Sequence, residues 1–553
     1  MNRILLFVLI ALLCSPGLMA QITGGSVSGN FQTDFQVYQN DEKLGITDSS
    51  LAGKRTGMNA YANLLYSSNN LEAGLRFETY MPPMTGYDQR YEGLGLAHRY
   101  IRFHDEQWDF TVGNFYEQFG NGMVFRSYQD WALGVDNAMD GIRIKYKPTN
   151  GVYLKAFSGV QRYYWDAWSR DDDRGVVSGI DGEVNLNEFC KRMAENKTMV
   201  IIGGSFVSKN QKDNHPIYKI PANVAAFSGR LNLARGNVNF VGEYTYKIND
   251  PSADNGMIYK PGEGLFFQGS YAVKGFSFAL SGKRIDNMSF RSDRNAGLND
   301  LTINYLPAIN KQHIYSLPAM YPYATQLNGE MGFTASVGYK IKKNTKLGGK
   351  YGTDIQLNFA RITDIVRNPL DSMTLIGQAG TLGYTSDYLN LGDKYFEDHS
   401  LEIQRKLSRT IKITLLYAWI YYNIGVIEGH IGEEDVVSNH VVGDVTWRLS
   451  GRQALRFEGQ HLSTEQDEGN WAMGLIEYTN KGFYASLQDS WNYGNHEESR
   501  KLHYIMVSAG YTKKATRLVA SYGRQKDGII CTGGVCRFVP AISGFSMTLT
   551  TSF

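Results

Sequence analysis
Apolar and polar residues take turns along most of this chain. Val238, Phe240, Gly242, Tyr244 and Tyr246 alternate with Asn239, Val241, Glu243, Thr245 and Lys247. Phe276, Phe278 and Leu280 alternate with Ser277, Ala279 and Ser281. Ile411, Ile413, Leu415, Tyr417 and Trp419 alternate with Lys412, Thr414, Leu416, Ala418 and Ile420. A period of two predicts strands with two unlike faces. No helical stripe of comparable length competes with it. The final residues, GFSMTLTTSF, follow the same rule. Phe545, Met547, Leu549, Thr551 and Phe553 fall on one side, and Ser546, Thr548, Thr550 and Ser552 on the other.

A soluble sandwich also alternates, so the connections decide. Short ones such as SSNN (67–70), ARGN (234–237), VKG (273–275), LSRT (407–410) and TNKG (479–482) punctuate the chain. Long ones lie between them, among them 118–137, 288–327, 362–393, 423–438 and 526–539. Short turns on one side and long loops on the other predict an all-β, transmembrane, up-and-down antiparallel β-barrel. The clear runs number roughly 23, an odd count that would leave the two ends on opposite sides of the membrane. Ile180, Gly182, Val184 and Leu186 alternate with Asp181, Glu183, Asn185 and Asn187. Taking that stretch as a strand gives about 24, within a range of about 22–26, with every short turn on the periplasmic side.

Composition agrees. The chain carries 36 Tyr, 27 Phe and 59 Gly but only 13 Pro, which suits short strands better than helices. Residues 1–20 hold Arg3, an apolar run from Ile4 to Leu13 and SPGLMA before Gln21. That pattern predicts a signal peptide, leaving 21–553 as a single barrel domain. The run is too short for a membrane helix. With 56 Lys and Arg against 54 Asp and Glu, the chain is near neutral, which excludes an electrostatic nucleic-acid partner. In an exported protein, Cys531 and Cys536 around the turn-forming Gly533 and Gly534 are expected to be bridged, leaving Cys190 alone.

The densest candidate for function is GNGMVFRSYQDWALGVDNAMDG (120–141), which gathers Arg126, Tyr128, Asp130, Trp131, Asp136, Asn137 and Asp140. Folded inward, Arg126 would face the carboxylates and narrow the lumen, as opposed charges do in selective pores. Asp136, Asn137 and Asp140 offer calcium as an alternative, although their spacing is not that of an EF-hand; otherwise no cofactor or metal is expected. The stretch 288–327, rich in Tyr and Pro, is longer than a connector requires and is expected to fill the lumen or cap its mouth. The ten His are scattered, and no hydrolase, Cys-x-x-Cys or phosphate-loop motif occurs.

Three segments resemble a family of large Bacteroidota outer-membrane barrel proteins of unassigned function. They are GNFYEQFGNGMVFRSYQDWALGVDNAMDGIRIKYKP (113–148), NYLPAINKQHIYSLPAMYPYATQLNGE (304–330) and GRQKDGIICTGGVCRFVPAISGFSMTLTTSF (523–553). The resemblance implies a barrel in the outer membrane of a Gram-negative bacterium, and no substrate. The alternating last strand, with Met547, Leu549 and terminal Phe553 on its apolar face, resembles the signal read by the barrel-assembly machinery.

With 24 strands about 4.8 Å apart and tilted by roughly 40°, the cylinder is about 45 Å across, too wide for wall side chains to fill. Three readings follow. The first is a pore or gated channel for small polar solutes with 118–137 as its constriction. The second is a closed barrel serving a protein partner within an outer-membrane complex. The third is an enzyme on the barrel rim. An open lumen favours the first, and a lumen packed by 118–137 and 288–327 favours the second.

Overall fold
A computed structural model describes residues 24–51, 53–165, 174–213 and 215–553. The expected signal peptide lies outside the described residues. Twenty-four strands form one antiparallel sheet. The first, Gly25–Tyr38, pairs with Thr56–Ser68 on one side and with the last, Ile542–Ser552, on the other. The sheet is therefore closed and has no free edge, the condition for crossing a bilayer with strands. The expected strand around Ile180 is present as Val176–Asn185, paired with Val152–Gln161 and Thr198–Asn210. It completes the even count.

The two faces follow the sequence. On Val238–Lys247, Val238, Phe240, Tyr244 and Tyr246 are exposed on the outside, while Glu243, Thr245 and Lys247 are buried inside. This outer apolar face meets lipid, which makes the protein an outer-membrane-type transmembrane barrel. On the last strand Thr548 donates to Asp34 Oδ1 (2.7 Å) on the lumen side, so Leu549 and Met547 face outward, opposite Thr33 and Phe35 of the first strand. The short turns gather at one end, which is periplasmic by the rule for such barrels. Gly236 and Gly275 take left-handed φ values of 56° and 86° there, which lets two-residue turns reverse the chain.

Two expectations change. The connection expected at 362–393 is shorter, because Thr353–Asn368 and Thr385–Lys406 run on beyond the barrel with register shifts after Ile362. Their far ends lean over neighbouring loops, where Tyr384 donates to Asp286 Oδ1 (2.8 Å) and Gly380 N to Met257 O (3.0 Å). The inward face of Ile411–Tyr422 is not polar. Leu416, Ala418 and Ile420 are 3%, 0% and 0% exposed, which requires something apolar inside the barrel.

Burial runs one way along the wall. On Val238–Lys247 the inward side chains pass from exposed Asn239, through partly buried Val241, to buried Glu243, Thr245 and Lys247. On Phe276–Asp286 they pass from exposed Ser277 to buried Ser281, Lys283 and Ile285. The periplasmic half of the lumen is thus a solvent-reached chamber, and the outer half is filled.

Candidate functional site: the loops that fill the outer lumen
Residues 116–138 follow the strand Trp108–Phe115 and turn inward. Gly120 and Gly122 adopt φ values of 52° and 93°, and a Cβ on Gly120 would come within 2.8 Å of the Glu243 carboxylate. Asn121 donates through both its backbone N and Nδ2 to Glu243 Oε2 (2.8 Å each) on the inner wall. Phe119, Val124 and Phe125 are fully buried in a cluster with wall residues Phe115, Phe157, Val177 and Val207. The Phe125 ring lies 4.1 Å from that of Phe157. Burying each such side chain stabilises the inward position by about 1.5–3 kcal/mol.

A small hairpin within the segment, Gln129–Asp130 paired with Val135–Asp136, carries the electrostatic fastening. Asp136 forms ion pairs with Arg76 and with Arg162 (2.6 Å), both of which also pair with Glu78 (2.7 Å each). Its other oxygen accepts from the Tyr116 hydroxyl (2.9 Å) and Ala138 N (3.1 Å). Arg76 and Glu78 sit on one wall strand, Leu71–Tyr80, and Arg162 just beyond Val152–Gln161. Burial alone would raise the Asp136 carboxyl, but the Arg162 and Arg76 guanidiniums outweigh it and hold it below the usual carboxylate range.

The residues expected to act together are divided between two neighbours. Arg126 does not face carboxylates: among the described residues it has no ion pair. Its guanidinium instead lies 4.4 Å and 4.1 Å from the ring centroids of Tyr128 and Tyr305. Asn137 accepts from Tyr128 N (2.6 Å) and donates to Thr302 O (3.0 Å). These contacts tie the segment to 287–328. Trp131 stacks on Tyr61 of the wall at 3.7 Å. Asp130 accepts from Leu133 N (3.1 Å), and Asp140 pairs with Arg99 (3.3 Å) at the base of the next strand. Both Asp136 oxygens are thus committed to protein donors. Among the described residues no group of three or more His, Cys, Asp or Glu is placed to hold a metal ion. Burial pushes the Tyr128 hydroxyl up to about 12, so it remains a proton donor at neutral pH.

The long stretch 287–328 supplies the apolar filling required by the inner wall. Leu306, Ile309, Leu317, Tyr321 and Tyr323 share one cluster with wall residues Ile362, Phe396, Ile420, Tyr422 and Trp471. Tyr323 donates to Glu330 Oε2 (2.6 Å). Its lowest part reaches down the wall, where His313 meets Asp398 (2.8 Å) and Tyr315 donates to Asp444 (3.3 Å).

A third element joins them. Gly528–Thr532 and Val535–Val539 form a hairpin closed by the disulfide Cys531–Cys536. It is not an outer tip. Thr325 N donates to Gly534 O (3.0 Å), Gln312 Nε2 to Cys531 O (3.0 Å) and Asn299 Nδ2 to Cys536 O (2.7 Å). The sequence singled out the cysteines but not the inward course of their hairpin.

The filling is hollow. A cavity of about 600 Å³ lies between the three elements, bordered by Tyr128, Thr302, Tyr305, Thr325, Asn328 and Arg537. A second of about 460 Å³, bordered by Tyr87, Tyr91, Tyr164 and Asp300, shares Asn137, Asn299 and Arg537 with the first.

Solved structures similar to this chain include a receptor, a transporter and a pilus assembly intermediate. The siderophore receptor PirA from Pseudomonas aeruginosa is 11% identical, with 95% of this chain and 80% of that chain covered and a TM-score of 0.36. The copper transporter OprC gives 9%, 95%, 80% and 0.37. A P pilus tip assembly intermediate from E. coli, PapC-PapD-PapK-PapG, gives 10%, 95%, 60% and 0.47. Similarity at this level carries no functional argument. No curated protein matches the chain. The family of unknown function DUF6029 matches residues 1–553, and the protein belongs to it.

Proposed function
We propose that this protein is a gated channel for small polar solutes in the Gram-negative outer membrane. It is closed at rest, and the segment 116–138 forms part of its constriction. The observation that carries the reading is the hollow filling. Within the filling above the periplasmic chamber lie cavities of about 600 and 460 Å³, bordered by rings and by polar side chains such as Thr302, Asn328 and Asp300, rather than a solid apolar plug. The electrostatic part of the fastening of 116–138 centres on Asp136, held by Arg76 and Arg162, so a change at that one carboxylate weakens the inward position.

The second reading, a closed barrel serving a protein partner, draws on the packed lumen itself. The cluster that joins 287–328 to the wall is large and apolar, as a permanent closure requires. Purified protein in a planar bilayer separates the two readings. Discrete openings carrying small ions support the channel. A membrane that stays silent across the voltage range supports the closed barrel.

A further inference from the structure
The strands Thr353–Asn368 and Thr385–Lys406 carry the chain past the barrel rim, and residues 369–392 form the outer turn of this extension. Its composition is not that of a loop held in water. Asp371 and Asp387 are the only charged residues in 369–392. Met373, Leu375, Ile376, Leu382, Leu389 and Leu391 are all half or more exposed, with Leu389 at 81%. So dense an exposed apolar surface marks an interaction site.

The position of the extension identifies the partner. Lys283 points inward, pairing with Glu330 and donating to Pro307 O of the filling, so Arg284, the next residue on the strand, points outward. In the sheet Arg284 stands beside Leu265, and Leu265 beside Tyr244, which is exposed on the lipid face. The Arg284 side chain is nonetheless only 5% exposed, because the extension covers it. Arg284 Nη2 donates to Ser386 Oγ (3.0 Å) and Asp387 O (3.3 Å), and its guanidinium lies 4.6 Å from the centroid of the Tyr388 ring. Tyr384 and Ser386 likewise donate to Asp286, which also faces outward. Residues 384–388 are therefore laid against the outside of the barrel, at the height of Tyr244. A segment there has the wall on one side and the bilayer on the other.

We infer that the extension docks on the outer leaflet of the membrane, with Leu389 and Leu391 in the boundary between acyl chains and headgroups. It continues the lipid face of the wall, with Tyr244 and Tyr388 as interfacial aromatics. It also keeps the charges of Arg284 and Asp286 away from lipid. This surface does not depend on whether the barrel conducts.

The test places a nitroxide on Leu389→Cys and, separately, on Leu391→Cys, in the full-length chain carrying Cys190→Ser. Cys190 is the only unbridged cysteine among the described residues. Both leucines are exposed, so neither change removes a buried contact. In liposomes of phosphatidylcholine and phosphatidylglycerol, power-saturation EPR compares collisions with oxygen, which concentrates among acyl chains, and with a water-soluble nickel chelate. Oxygen should dominate at both positions, as at Leu487→Cys on the lipid face, and nickel at Ile431→Cys, 94% exposed on an outer loop. Nickel dominance at either leucine overturns the inference, because it puts the extension in water. Shielding from both probes also overturns it, because a second copy of the chain then covers the leucines.

Discussion

Asp136→Asn is the most informative single change, because it removes one charge from the fastening and preserves the shape of the side chain. In the native protein Arg76 and Arg162 share two carboxylates, Asp136 and Glu78, and all four side chains are 5% exposed or less. After the change, two buried guanidiniums share Glu78 alone. Breaking a buried pair from one side costs about 3–5 kcal/mol, most of it the penalty on the charge left behind. The cost falls on the inward position of 116–138, since a released segment lets water reach both arginines. The released population should therefore rise roughly 150- to 5,000-fold. Liposomes loaded with a small polar dye measure it. Asp136→Asn should leak far faster than wild type, and Asp130→Asn, which keeps an acceptor for Leu133 N, should not. A folded Asp136→Asn barrel that leaks no faster than wild type would refute the claim that this segment closes the lumen.

The remaining predictions concern pH, the cation, the lipid face and topology. Because the Asp136 carboxyl is depressed, its fastening is fully present above the ordinary carboxylate pKa of about 3.9 and is lost as pH falls through the lower folded value. Dye efflux should then be flat from about pH 7 to 5 and rise only below about 4; a rise near pH 6 would point to another group. Arg126→Ala removes two cation–π contacts, worth about 0.5–2 kcal/mol each, and one positive charge. Reversal potentials in a salt gradient should shift toward cation selectivity, and an unchanged potential removes Arg126 from the constriction. Leu549→Lys places a charge on the lipid face at roughly 2–4 kcal/mol, so outer-membrane levels should fall; normal levels would contradict the outward assignment. Epitope tags at Gly432 and His496 should label on intact cells, and tags at Gly236 and Gly451 only after lysis; labelling of both sets rules out the topology.

Strand number and lipid faces were legible in the sequence because they rest on local periodicity. The strand at Val176–Asn185 was recovered by parity, although its glycines blur the alternation. The filling of the lumen was only partly legible. The length and Tyr content of 288–327 marked it as more than a connector, and Leu416, Ala418 and Ile420 on one face were a readable sign that apolar matter lies inside. The site itself was less legible, because its partners are far apart in sequence. Arg76 and Arg162 lie 60 and 26 residues from Asp136, and Arg–x–Glu at 76–78 looks like any lumen-facing pair. Arg126 was expected to pair with nearby carboxylates, but Tyr305, brought in by a distant loop, offers an aromatic face instead.

The most direct test of the account is planar-bilayer recording of the wild-type protein beside a chain lacking 289–327. The account predicts rare, stepwise openings in the wild type and large, steady conductance once the filling is removed from a lumen about 45 Å across. A wild type that stays silent at every voltage and pH, beside a deletion that conducts steadily, would contradict the gated channel and leave a permanently closed barrel.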